Sequence, residues 1–159
     1  NYTDEAKLII DLLKEEKQTV SFAESCTGGL LSEYITNISG ASEVFMGSVV
    51  SYDNSIKQNV LNIPEHILKD YGAVSEECAS FMAQGVRNLM KTDYSVSITG
   101  IAGPGGATDT KPVGLVYIGV SHKNNTEVYK NIFNGDRYQV RMRSAKKALY
   151  YLLNMIKEN

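Results

Sequence analysis

The chain has 159 residues, 43% of them hydrophobic, which is enough for one sizeable core and short for two. Its 16 basic and 18 acidic residues leave a net charge of -2, so no bulk attraction draws it to nucleic acid or to an anionic membrane, and an anionic ligand has to be held locally. The two cysteines, Cys26 and Cys78, do not make the framework of a disulfide-stapled secreted domain, and no Cys/His cluster suggests zinc, so a reducing cytoplasm is the expected compartment.

The opening stretch NYTDEAKLIIDLLKEEKQ mixes charge with apolar residues at helical spacing, which suits neither a signal peptide nor a membrane span. Thr3 or Asp4 can cap a first helix with Ala6, Ile9, Ile10 and Leu13 inward, ending near Lys17. TVSFAES, residues 19–25, reads as a strand with Ser25 at its end, and TGGLLSEYITNI as a helix that starts at or just after Gly28. EVFMGSVVSY, residues 43–52, is a second strand, followed by a short helix capped by Asp53 or Asn54. A Pro-started helical turn breaks at Gly72, and Ser75 caps the next helix, whose apolar stripe is Ala79, Met82, Ala83, Val86, Leu89 and Met90.

Tyr94–Gly100 is the third strand and opens into the glycine-rich loop GIAGPGGATDTKP. VGLVYIGV and TEVYKNIF follow as an antiparallel hairpin across a five-residue SHKNN connection, so the sheet is mixed. A closing helix from about Asp136 to Lys157, with Val140, Ala145, Ala148, Leu149, Leu152 and Ile156 inward, completes an α/β sandwich.

Open α/β sheets bind ligands beyond the carboxyl ends of their strands, and three strands here end at Ser25, Tyr52 and Thr99. Parallel alignment would bring those ends to one crevice. Ser25 precedes Thr27, Gly28 and Gly29, whose small residues and amides suit a nucleophile beside an oxyanion site, although an N-capping serine explains the same residues. Cys26 is the rival nucleophile, which strand alternation turns towards the core.

Lys57 follows Tyr52 across the second junction. A lysine held neutral by burial or by the positive end of a helix is a usable general base, and Tyr52 could relay its proton or steady the serine hydroxyl. The plain alternative is an edge aromatic and a solvated lysine. The TGIAGPGG stretch fits neither a Walker loop nor a dinucleotide fingerprint, and is either an amide-lined ligand loop or a wide surface turn. Arg137 and Arg141 share a helix face, which suits a phosphate monoester or a solvated basic surface. His66 lies in a helical turn and His122 in the hairpin loop, which disfavours a Ser-His-Asp hydrolase.

Taken in order, AESCTGGLL, SYDNSIK, GAVSEECASFMAQGVR, SITGIAGPGG, KPVGLVYIGV and FNGDRYQVR resemble the C-terminal domain of the competence/damage-inducible CinA family from about Asp4 to Ile156. The resemblance implies a three-layer α/β/α fold, a single domain over residues 1–159, often dimeric. It also implies hydrolysis of the carboxamide of nicotinamide mononucleotide (NMN) to nicotinate mononucleotide and ammonia, with no metal or other cofactor. By position, Ser25 matches the family's nucleophile and Tyr52 with Lys57 its activating pair. The amides of Thr27, Gly28 and Gly29 match the oxyanion or substrate-amide site, and Thr99, Gly100, Gly103, Arg137 and Arg141 the elements that hold substrate. ISGAS and GSVVSY depart from the family's usual loops. The molybdopterin-binding-like N-terminal domain of many CinA proteins is not in this sequence, and with no initiating Met the chain is open to being part of a longer parent. The expected partner is a small pyridine nucleotide, with neither nucleic acid nor membrane. A non-catalytic nucleotide-binding or competence-associated domain, and an amidase for another pyridine nucleotide or small amide, are the competing readings.

Overall fold

The computed structural model describes residues 1–159. Its elements run α1 (Tyr2–Glu16), β1 (Val20–Glu24), α2 (Leu30–Thr36), β2 (Phe45–Val50), α3 (Asn54–Asn59), α4 (Glu65–Tyr71), α5 (Glu76–Met90), β3 (Tyr94–Gly100), β4 (Leu115–His122), β5 (Asn125–Ile132) and α6 (Arg137–Glu158), with one 3-10 turn at Ala41–Glu43. The five strands form one mixed sheet in the order β2-β1-β3-β4-β5. β2, β1 and β3 are parallel, and β4 and β5 reverse in turn. The C-terminal ends of the parallel strands therefore lie side by side, the arrangement expected if the three strands ran the same way.

Strand alternation assigns the two faces. Val20, Phe22, Val96, Ile98, Val116, Ile118 and Val120 join the large core beneath α1, α2 and α6, whereas Ala23 meets a smaller cluster that includes Leu61, Ile63, Ile67, Cys78, Met82 and Val86 under α5. On the α5 side the sheet carries small residues, and their hydroxyls anchor the helix: Ser95 donates to the Ala83 carbonyl and Ser97 to that of Ala79, both at 2.6 Å. Gly85 lets α5 approach the chain that follows α3, because a Cβ there would stand 2.4 Å from the Leu61 carbonyl oxygen. Gly85→Ala is expected to shift the segment that follows α3, costing about 1 to 3 kcal/mol in urea melts.

Several details differ from the sequence expectation. The first cap is Asn1, which accepts from the Asp4 amide, and α2 begins only at Leu30 because Gly28 and Gly29 hold positive φ in the preceding turn. The hairpin turn is two residues, Lys123 and Asn124, since His122 and Asn125 still pair. His122 is consequently a buried strand residue, its ring stacked 4.0 Å from Tyr94 and its Nδ1 2.8 Å from the Asp93 carbonyl oxygen. Leu89, expected inward, is 49% exposed, and Met90 beside it is the residue that packs against the smaller cluster and over Gly47 of β2. No helix is long and apolar enough to cross a membrane.

Candidate active site

A cleft of about 260 Å³ opens at the C-terminal ends of β2, β1 and β3, bordered by Ser25, Tyr52, Lys57, Thr99, Gly103 and Arg137 among others. Ser25 is the residue after β1. Its amide is fixed by the Ile98 carbonyl at 2.9 Å, and its side chain falls on the α5 side of the sheet, where α3 delivers Lys57. Asp53 starts α3 by accepting from the Ser55 amide at 3.0 Å, and Lys57 lies one turn further on.

Lys57 is buried, with 1% exposure, and forms no salt bridge. Its Nζ lies 2.6 Å from the Ser51 carbonyl oxygen, 3.2 Å from that of Tyr52 and 3.1 Å from Ser25 Oγ. Burial holds its pKa below the ordinary lysine value, a larger influence than the opposing pull of Cys78, Asp53 and Cys26. An amine has two N–H groups and one lone pair. With the two carbonyls accepting both N–H groups, the lone pair of the neutral form is turned to the remaining neighbour, the Ser25 hydroxyl.

The thiols are poor rivals. Burial pushes Cys26 up to about 12 and Cys78 up to about 11, so neither is a thiolate near neutral pH.

Other expected site residues take different positions. Tyr52 is 58% exposed and its hydroxyl accepts from Arg137 at 3.1 Å; what it offers Lys57 is a backbone carbonyl, so the structure does not place its hydroxyl as a relay to Ser25. Arg137 also donates to the Gly103 carbonyl at 2.9 Å, which ties the start of α6 to the glycine-rich loop at the cleft wall. Arg141 does not border the cleft. Its guanidinium donates to the carbonyls of Cys26 at 3.0 Å and Thr27 at 2.8 Å, and so holds the turn after Ser25 instead of standing beside Arg137 around an anion.

The amides of that turn are also largely engaged. Gly28 donates to the Ser25 carbonyl at 3.1 Å and Gly29 to Glu24 Oε1 at 3.2 Å, which removes both from an oxyanion site. The Cys26 and Thr27 amides donate to no other residue, and they remain the donors next to Ser25. The Thr27 hydroxyl is buried without a partner. Thr99 borders the cleft with its hydroxyl donated to the Ala73 carbonyl at 2.8 Å, fixing the wall ahead of α5, and Gly100 admits no side chain because a Cβ would lie 2.6 Å from Val116.

Glu24, which the sequence reading passed over, is fully buried at the end of β1. Its carboxylate accepts from the Gly29, Leu31 and Ser32 amides and from the Ser32 hydroxyl at 2.6 Å. An acidic residue closing an otherwise small and apolar strand, just before a helix start, is the signal that marks it. Asn54, whose side chain makes no bond within the protein, borders the cleft as well.

Residues 3–156 match the family described as the CinA C-terminal domain. The chain belongs to that family. It is 48% identical over 152 residues to a CinA-like protein of Thermotoga neapolitana, covering 96% of this chain and 37% of that one. It thus spans just over a third of such longer CinA relatives. Among solved CinA superfamily structures, a competence/damage inducible protein from Agrobacterium tumefaciens is 36% identical with a TM-score of 0.93, covering 96% of this chain and 95% of that one. A second, from Klebsiella pneumoniae, is 27% identical with a TM-score of 0.95, covering 100% and 99%.

Proposed function

We propose that this CinA domain is a serine amidohydrolase that converts NMN to nicotinate mononucleotide and ammonia. One observation carries the reading: a buried lysine amine, its N–H groups directed at two backbone carbonyls, stands 3.1 Å from the hydroxyl of Ser25 at the mouth of a cleft. Solvated surface lysines have no such arrangement.

In this scheme neutral Lys57 takes the Ser25 proton as Oγ attacks the carboxamide carbon. The oxyanion forms beside the Cys26 and Thr27 amides, the only ones of the turn that donate to no other residue. The C–N bond breaks, Lys57 returns the proton to the departing nitrogen, and ammonia leaves an acyl-serine ester. Water then attacks the ester carbon, giving its proton to Lys57, which reprotonates Ser25 as the acid departs. The scheme calls on no cofactor.

Arg137 is the group assigned to the substrate phosphate, because it alone of the two arginines borders the cleft. Measuring ammonia release from NMN and from its phosphate-free riboside tests the whole reading, and failure of the wild type to release ammonia from NMN overturns it. Arg137→Ala is expected to raise KM for NMN by about 10- to 100-fold, the loss of one charged hydrogen-bonding partner, with little change for the riboside. Arg141→Ala is expected to lower kcat for both substrates alike, since its guanidinium holds the nucleophile turn.

A further inference from the structure

Of the 13 glycines in the chain, 12 have a reason within the protein. Nine hold a positive φ, and a Cβ on Gly85, Gly100 or Gly119 would fall under 3.0 Å from neighbouring atoms. Gly105 is the exception: its φ is not positive, and a Cβ built on it meets nothing within 4 Å. Any small residue could occupy the position as far as the fold is concerned. A glycine also costs conformational entropy, so leaving one where neither strain nor packing requires it points to something outside the chain.

Gly105 borders the cleft together with Ser25 and Lys57. The loop that carries it is held at both ends. The Gly103 carbonyl accepts from Arg137 at 2.9 Å, and Lys111 donates to the Tyr71 carbonyl at 2.6 Å across the base of the loop. Loop and Arg137 therefore form one wall of the cleft that Ser25 also borders. The amides of Gly103, Gly105 and Gly106 donate to no acceptor within the protein, so the backbone of that wall keeps its donors available to a ligand.

We propose that Gly105 is a specificity-determining residue, the point at which the substrate's ribose-phosphate portion lies directly against the backbone, so that the smallest side chain added there narrows the seat. The inference rests on the amidohydrolase reading and concerns the same cleft. It separates the loop into glycines required by conformation, Gly103 and Gly106, and one required by the ligand.

The test compares Gly105→Ala and Gly106→Ala with the wild type in ammonia release from NMN, with melting temperature measured beside it. Gly105→Ala is expected to raise KM by about 10-fold or more, the effect one methyl group commands in a close-fitting site, with the change falling on KM rather than kcat. Its melting temperature is expected to stay level or rise, because alanine restricts the unfolded chain, whereas Gly106→Ala lowers it by forcing a side chain onto a φ of +92°. An unchanged KM in a well-folded Gly105→Ala protein overturns this inference and leaves the amidohydrolase reading intact. If the wild type neither hydrolyses NMN nor binds it in calorimetry, both fall.

Discussion

Ser25→Ala is expected to lower ammonia release from NMN by about four orders of magnitude or more, because in the proposed scheme the residue supplies the bond-forming atom and nothing nearby can stand in for it. The neighbouring thiol of Cys26 is held protonated by burial, with its pKa pushed up to about 12, and it belongs to the core on the other face of the sheet. The Ser25 hydroxyl makes a single hydrogen bond, to Lys57, so the fold has little reason to change. NMN is expected to bind the variant in calorimetry with near wild-type affinity. Equal activity in variant and wild type would end the mechanism; equal melting curves with activity gone would support it.

The second large effect concerns the amine. Lys57→Met keeps the length of the side chain and removes the base, and is expected to lower kcat by about 10² to 10⁴-fold. In the wild type, activity is expected to rise with pH as Lys57 loses its proton and to level off below the ordinary lysine value of 10.5. Stability follows the same titration. Unfolded Lys57 keeps its proton up to 10.5, whereas the folded residue, depressed by burial, gives it up earlier. Between those two points the unfolded state binds more protons, so wild-type stability rises with pH. Below the folded pKa the cost of burying the charge is present in full. Urea melts from neutral pH to 10.5 should therefore show wild type gaining on Lys57→Met, by about 1.4 kcal/mol for each tenfold change in the acidity constant. A difference that stays flat would mean that the buried amine is not depressed.

Much of this architecture is legible in the sequence because it follows from local rules. Tyr94–Gly100 alternates serine or threonine with valine or isoleucine and is a strand over those residues; Asp53, Ser75 and Asp136 cap the helices they precede. The order of parallel strands then brings position 25 and position 57 to one end of the sheet. What local rules do not carry is the choice of partner for a long polar side chain. Arg137 and Arg141 stand on the same helix face, yet one reaches the cleft wall and the other the carbonyls of the turn after Ser25. Glycine amides next to a serine look like oxyanion donors in sequence, until a buried carboxylate at Glu24 claims one of them. Tyr52 contributes through its backbone, which no pattern of side chains reveals.

The reversal of β4 and β5 has a bearing on biosynthesis. Because this hairpin carries the chain out and back, α6 starts at the cleft end, and Arg137 and Arg141 reach the cleft wall and the turn after Ser25 from the last helix of the fold. A nascent chain holding every strand, together with Ser25 and Lys57, still lacks the clamp on residues 26 and 27. Under the proposed amidohydrolase scheme, competence waits on the docking of α6, and amide hydrolysis would report that step.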